Sequence, residues 1–130
     1  MILADTSIWI EIFRRGRFKA ELEGLITHDQ LCIHPHIVAE LACGFLPDRK
    51  NTLHYLDSLI QIHSVRLADV RQMIESRGLA WKGIGLTDAH LIASCLAVSG
   101  THLWTIDGAL GRVAEQLGIR AIIVAHVPNC

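Results

Sequence analysis

The first seven residues, Met1-Ile2-Leu3-Ala4-Asp5-Thr6-Ser7, decide the fold that this sequence predicts. Residues 2–4 are a short apolar run, which is typical of a buried strand, and a helix is predicted from Ser7 onward. Asp5 then stands at the carboxyl end of the first strand. Ligands of open α/β sheets bind just beyond that end, so Asp5 is a candidate site residue. Asp and Ser also cap helix starts, and a purely structural role is the alternative.

Length and composition limit what the chain can be. Its 130 residues fit one domain, residues 1–130. Twelve Lys and Arg against thirteen Asp and Glu give a net charge of -1, so contacts to a nucleic acid would depend on local clusters. The longest apolar run, residues 91–98, is too short to span a bilayer, and no secretory signal precedes Asp5. We expect a soluble, cytoplasmic protein with no membrane partner.

The cysteines do not indicate a zinc or redox motif, because no two of them form a C-x-x-C pair. We expect them to be small buried hydrophobic side chains, with the last one a loose C-terminal thiol. They are Cys32, Cys43, Cys95 and Cys130.

Strands alternate with helices along the rest of the chain. Beyond the first strand, apolar runs predict strands at 31–33, 102–106 and 119–124, and residues 62–65 read as a short strand or an extended connection. Helical spacing predicts helices at 20–26, 36–45, 52–60, 68–81, 87–99 and 110–117. This alternation predicts an α/β fold with a central parallel sheet of four to five short strands flanked by helices.

Three later acids occur in settings comparable to that of Asp5. Glu40 lies in mid-helix on the face of Ile37 and Leu41, where burying a carboxylate costs several kcal/mol unless it is paired or binds a cation. Asp88 opens a strongly apolar helix, and Asp107 ends a strand. One alternative is that Glu40 faces solvent or a distant Arg. The alternative for Asp88 is structural, with Thr87 as the helix N-cap and Asp88 an acid in the first turn that the helix dipole favours.

Carboxylates gathered at one sheet edge cannot all stay ionised without cations. An oxygen donor set suits Mg²⁺ or Mn²⁺ better than zinc. Sites of this kind bind a phosphodiester and activate water for in-line displacement. The histidine pair His34 and His36 is a weaker candidate for metal binding, and its alternative role is structural.

The segments around the four acids resemble the PIN-domain nucleases and, within them, the VapC-type toxins of bacterial toxin-antitoxin pairs. The likeness covers nearly the whole chain. The segments that carry it are Ala4-Asp5-Thr6-Ser7-Ile8-Trp9, Ile37-Val38-Ala39-Glu40-Leu41, Thr87-Asp88-Ala89-His90-Leu91-Ile92-Ala93 and Thr105-Ile106-Asp107.

The resemblance implies a three-layer PIN-like fold, an Mg²⁺- or Mn²⁺-dependent endoribonuclease, a VapB-like antitoxin and a homodimer. By position, Asp5 and Asp88 would bind metal directly, and Glu40 and Asp107 would bind or orient a second metal and water. Gly108 departs from the family pattern, in which a charged residue is frequent. The supporting hydroxyls would be Thr6, Ser7 and Thr105, and the RNA backbone contacts would be Arg14, Arg15, Arg17, Lys19, Arg49 and Lys50.

Two other functions stay open at this point. The first is a catalytically inactive PIN-fold module that binds a partner. The second is a phosphatase that forms an aspartyl phosphate on Asp5, although such sites usually carry an acid two residues later, where this chain has Ser7. The basic cluster that begins at Arg14 has its own alternative, a solvated turn between two helices.

Overall fold

A computed structural model describes residues 1–124 and shows a four-stranded parallel sheet. The strands are β1 (Ile2–Ala4), β2 (Leu31–Ile33), β3 (Ile60–Gln61) and β4 (His102–Trp104), in the order β3-β2-β1-β4. The α/β fold with a parallel sheet of four to five short strands is confirmed.

Helices flank the sheet and connect its strands. None of those within residues 1–124 is long and apolar enough to cross a membrane. The helices are α1 (Thr6–Arg15), α2 (Lys19–Thr27), α3 (Pro35–Cys43), α4 (Arg49–Ser58), α5 (Leu67–Ser76), α6 (Leu86–Ala97) and α7 (Gly108–Gln116).

Strand β1 is central, as the opening sequence predicts. Leu3 lies between Cys32 of β2 and Leu103 of β4, and its side chain is fully buried. Because these strands run parallel, their carboxyl ends meet at one edge of the sheet. The first residues beyond that edge are Asp5, His34 and Thr105, so one sheet edge collects polar groups from three strands.

The predicted last strand at residues 119–124 is wrong. Only one bridge forms, between Leu103 and Arg120, with Ala121 donating its N–H to the Leu103 carbonyl over 2.8 Å. Ile119 is buried, but Ile122 is 90% exposed. Among residues 1–124, the apolar run therefore has no sheet partner beyond its first residues. Apolar side chains alone do not extend a strand along the edge of a sheet.

Other element boundaries shift because of local backbone chemistry. Helix α5 ends at Ser76 rather than at residue 81, since Gly78 adopts a left-handed conformation with φ 63°. Helix α4 begins at Arg49 and stops at Ser58, which releases Ile60 and Gln61 to pair with β2. Residues 62–65 form the extended connection.

The cysteine prediction holds in part. Cys32 and Cys95 are buried, whereas Cys43 at the end of α3 is exposed. Cys130 lies outside the described residues.

Candidate active site

Asp5 is the most deeply buried acid of the candidate site, with 4% of its surface exposed. It caps α1, where its Oδ1 accepts a hydrogen bond from the Ile8 N–H at 3.2 Å and from the Ser7 hydroxyl at 2.5 Å. The Thr105 hydroxyl donates to Oδ2 at 2.5 Å. Burial raises the pKa of Asp5 above its ordinary value, and the charge of Asp88 raises it further. These donors fix the carboxylate in one orientation.

Thr105 joins the ends of β1 and β4. Its Oγ1 accepts a hydrogen bond from the Asp107 N–H at 3.0 Å while it donates to Asp5. The Ser7 hydroxyl accepts from the Ile106 N–H at 3.3 Å. The supporting hydroxyls predicted at Ser7 and Thr105 therefore lie against Asp5, nearly one hundred residues apart in sequence.

Asp88 and Asp107 stand at the starts of two further helices. Asp107 is the exposed N-cap of α7, and its Oδ1 accepts from the Leu110 N–H at 2.8 Å. Asp88 is half-buried in the first turn of α6, where its Oδ2 accepts from the Gly85 N–H at 3.1 Å. The N-cap of α6 is Gly85, not Thr87 as the sequence suggested. Burial raises the pKa of Asp88, and the charges of Asp107 and Glu40 add to the rise.

Glu40 lies in mid-helix as predicted, but the expectation that it is buried is wrong. Ile37 and Leu41 of α3 are buried, whereas Glu40 sits at the margin of their face and is exposed. Its Oε2 accepts a hydrogen bond from the Thr6 hydroxyl at 2.8 Å. Glu40 therefore faces the start of α1, beside Asp5. Because it is exposed, its carboxylate carries no desolvation penalty.

The four acids share one cleft. The charges of Glu40 and Asp107 act on Asp88, and the charge of Asp88 acts on Asp5. Hydrogen bonds also join Thr6 to Glu40 and Thr105 to Asp5. The N-termini of α1, α6 and α7 all lie at this cleft, since Asp5, Asp88 and Asp107 stand at these helix starts. The helix dipoles favour anions at this position. None of the three ion pairs within residues 1–124 involves any of the four acids. No salt bridge within the described part of the chain therefore offsets their charge.

The donor set of the cleft fits a hard divalent cation. It offers carboxylate and hydroxyl oxygens, and the second oxygens of Glu40, Asp88 and Asp107 have no protein donor among the described residues. Within residues 1–124, however, no three His, Cys, Asp or Glu side chains already stand in an arrangement that could hold a metal ion. Binding would require rotation of side chains, which exposure permits for Glu40 and Asp107.

An apolar groove of about 320 Å³ runs from this cleft between α1 and α3. Thr6 and Glu40 form the end nearest the acids, and Arg14 also lines the groove. Its remaining wall is largely apolar, and Phe45 in that wall is 92% exposed. The other lining residues are Ile10, Phe13, Leu41, Gly44, Leu46 and Pro47.

The remaining predicted basic residues have varied local partners. Arg15 pairs with Glu11 at 3.1 Å, and the guanidinium of Arg17 lies 4.4 Å from the centre of the Phe18 ring. Arg49 donates to the carbonyls of Ala42 and Gly44 and so caps the end of α3. Lys19 and Lys50 are exposed.

Arg112 was missed by the sequence analysis. Its guanidinium lies over Gly108, where an added Cβ would stand 3.3 Å from Nη1. This places a cation beside Asp107, the residue before Gly108. The i, i+4 spacing from Gly108 to Arg112 on α7 is the pattern that would have pointed to it.

A histidine cluster lies at the same sheet edge. The rings of His36 and His90 are 4.1 Å apart between centroids, and the fully buried His34 packs against both. The Nδ1 of His34 accepts from the His36 N–H at 3.0 Å, which caps α3. These contacts support the structural alternative for His34 and His36. His90 belongs to the same cluster, although it is far from the other two histidines in the sequence.

His34 gives a pH-dependent stability. Burial and the neighbouring histidines lower the pKa of His34 to about 4 from 6.5. A base whose pKa is depressed by folding stabilises the fold above its unfolded pKa, and that stability is lost as pH falls from 6.5 towards 4. We expect the contribution of His34 to the free energy of unfolding to drop by about 3 kcal/mol over this range. Urea unfolding at pH 7 and pH 4.5 measures it. His34→Asn, which keeps a capping oxygen, should show a smaller drop, and an equal drop would contradict the assignment.

The sequence was then compared with known proteins. A family model described as "PIN domain" matches residues 2–116. The chain belongs to the PIN-domain family. Its relatives include Ribonuclease VapC32 of Mycobacterium tuberculosis, from strains CDC 1551 / Oshkosh and ATCC 25618 / H37Rv. Each is 36% identical over 119 residues, covering 92% of this chain and 94% of the relative. The resemblance to VapC-type PIN-domain proteins is confirmed, and all four acids of this PIN domain lie inside the matched region.

Proposed function

We propose that this PIN-domain protein is an endoribonuclease that hydrolyses RNA phosphodiester bonds, and that it is the toxin of a toxin-antitoxin pair. The observation that carries the proposal is the cleft of Asp5, Glu40, Asp88 and Asp107, none of which forms a salt bridge with another described residue. The named ribonuclease among its relatives supports the same activity.

The cofactor of the proposed reaction is a divalent cation, Mg²⁺ or Mn²⁺. Asp5 and Asp88 would hold it, since both face the cleft and both have a raised pKa that a cation would lower again. Such a cation neutralises the charge that develops on the phosphate oxygens during displacement. Glu40 and Asp107 are the exposed members of the set, and we assign them to a second cation or to the attacking water.

The chain's own groups prepare the reaction in three ways. Ser7 and Thr105 fix the Asp5 carboxylate. The three helix N-termini favour the anionic phosphate. Glu40 or Asp107 takes a proton from water as the water oxygen bonds to phosphorus and the opposite P–O bond breaks.

The flanking RNA backbone would be held by exposed cations. Arg14 and Lys19 lie at the two sides of the α1–α2 turn, and Arg14 borders the groove that ends at Glu40. Arg15, Arg17, Arg49 and Lys50 complete the proposed set, although Arg49 also caps α3. Each exposed phosphate contact adds to a salt-dependent affinity.

A VapB-like antitoxin is the proposed protein partner. The groove between α1 and α3 is apolar and ends at Thr6 and Glu40, so an antitoxin helix lying in it could extend an arginine to the acids. We also propose that the protein forms a homodimer and that it acts in the cytoplasm.

A matched pair of aspartates tests the function. Asp88 and Asp69 both occupy the first turn of a helix, α6 and α5 respectively, but Asp69 pairs with Arg66 at 3.2 Å. We expect Asp88→Asn to lower the rate of metal-dependent RNA cleavage by at least about 100-fold, because it removes charge from the cleft. Asp69→Asn should stay within about twofold, since exposed pairs contribute little.

The assay uses purified protein, a labelled structured RNA and Mg²⁺ or Mn²⁺. No cleavage by the unsubstituted protein would favour the inactive binding module. Phosphate release from a small ester without RNA cleavage would favour the phosphatase. Equal losses in both variants would contradict the cleft as the site of chemistry.

A further inference from the structure

The loop of residues 77–85, which joins α5 to α6, carries an unusual tryptophan. Trp81 is fully exposed at 102%, whereas Trp9 and Trp104 are 1% and 5% exposed. Its backbone is left-handed, with φ 63°, a conformation that bulky residues rarely adopt. An indole held in water gains nothing from the core. The exposed indole of Trp81 is therefore accessible to a ligand.

The 77–85 loop lies between two acids of the proposed active site. At one end, the Gly85 N–H donates to Asp88 at 3.1 Å. In its middle, a Cβ added to Gly83 would lie 3.2 Å from the Cβ of Ala109, which is two residues beyond Asp107. Trp81 is two residues from Gly83, so their Cα atoms are within about 7 Å. The exposed indole is thus tied to the rim of the acidic cleft.

The charges around this rim suit a polyanion. Lys82 follows Trp81 directly and is exposed, and the Arg112 guanidinium lies over Gly108 on the facing helix. Neither cation takes part in the ion pairs found in residues 1–124. An aromatic side chain beside free cations is the arrangement by which proteins bind single-stranded nucleic acid.

We propose that Trp81 is a stacking platform for an RNA nucleobase next to the cleaved phosphate, with Lys82 contacting the adjoining backbone. The inference rests on the proposed ribonuclease function and deepens it, since it assigns a substrate contact to a loop that none of the acidic motifs includes. A nucleic acid is favoured over a protein partner at this loop, because the apolar groove lined by Phe45 lies elsewhere, between α1 and α3.

Fluorescence tests the contact without requiring activity. Trp81 is the exposed one of the chain's three tryptophans, so quenching by a bound base reports on this residue. The measurement uses the Asp5→Asn protein, which should leave the RNA uncut, and a short single-stranded RNA. We expect quenching that is absent from the Asp5→Asn, Trp81→Ala double variant. Equal quenching in both proteins would overturn the proposal.

Affinity for RNA provides the second measurement. In the Asp5→Asn background we expect Trp81→Ala to weaken RNA binding by about 5- to 100-fold, and Trp81→Phe to retain most of it. A single abasic nucleotide, moved along the RNA, should weaken binding at one position. That loss should disappear in Trp81→Ala, because the stacking partner is already gone.

Tyr55→Ala is the matched control, because Tyr55 is also an exposed aromatic residue but lies on α4, outside both the acidic cleft and the groove. It should leave RNA binding within about twofold. Trp81→Ala protein that binds and cuts RNA like the unsubstituted protein would overturn the platform while leaving the nuclease intact. A loss of binding to a VapB-like antitoxin alone would also overturn it, in favour of a protein contact. If the unsubstituted protein neither binds nor cuts RNA, the ribonuclease proposal fails first.

Discussion

Asp5→Asn is expected to reduce RNA cleavage by at least about 1,000-fold while leaving the fold intact. The substitution removes the buried charge that the cleft would offer a cation, and such a cation supplies several kcal/mol of transition-state stabilisation. The asparagine oxygen can still accept from the Ile8 N–H, and its amide nitrogen can donate to the Thr105 hydroxyl oxygen in place of the hydrogen bond that Asp5 accepts there. Cleavage of labelled RNA under single-turnover conditions measures the rate. Residual activity within tenfold of the unsubstituted protein would contradict the role of Asp5.

Stability separates this functional loss from misfolding. The pKa of Asp5 is raised by burial, so between its unfolded and folded pKa the folded protein holds more protons, and stability falls as pH rises through that window. At neutral pH the charged carboxylate therefore destabilises the metal-free fold. Asp5→Asn should have an unfolding temperature at neutral pH equal to or above that of the unsubstituted protein. The gain should vanish at a pH low enough to protonate Asp5. A lower unfolding temperature at neutral pH would mean that the substitution damages the fold.

The strand and acid at the start of the chain could be predicted because local chemistry determines them. Ile2–Ala4 is apolar enough to be buried between two neighbours, and the acid that ends it also caps α1. The same logic located Asp107, which follows β4 by three residues rather than ending it, and which caps α7. Parallel topology then brings both acids to one edge without any further information.

Other features depend on contacts that sequence spacing does not contain. Glu40 was expected to be buried from its helical face, yet it lies at the margin of that face and hydrogen-bonds Thr6. The Thr105 hydroxyl donates a hydrogen bond to Asp5, although the two residues are 100 positions apart in the sequence. Residues 119–124 are apolar but gain one bridge to β4, because strand pairing requires a partner edge as well as apolar side chains.

The contribution of the 77–85 loop was likewise not predictable, and that of Arg112 was missed although its spacing from Gly108 indicates it. Gly83 and Gly85 are typical of a loop, but only the contact between Gly83 and Ala109 places this loop beside α7. Arg112 became relevant once Gly108 proved to lie under its guanidinium. Both the loop and Arg112 border the cleft, and neither belongs to the four sequence segments that contain the acids.

Removal of divalent metal should abolish RNA cleavage, and this is the second large effect that we expect. None of the four carboxylates forms a salt bridge with another described residue. Without a bound cation they repel an RNA phosphate rather than bind it. Cleavage should therefore fall below detection in EDTA and return when Mg²⁺ or Mn²⁺ is added in excess.

Manganese titration, followed by the electron paramagnetic resonance of free Mn²⁺, tests the central claim most directly. The unsubstituted protein should bind Mn²⁺, and Asp5→Asn and Asp88→Asn should each bind it at least about tenfold more weakly, whereas Asp69→Asn should not differ. Equal Mn²⁺ affinity in all four proteins, or RNA cleavage that persists in EDTA, would contradict a metal site formed by the acids at the carboxyl edge of the sheet.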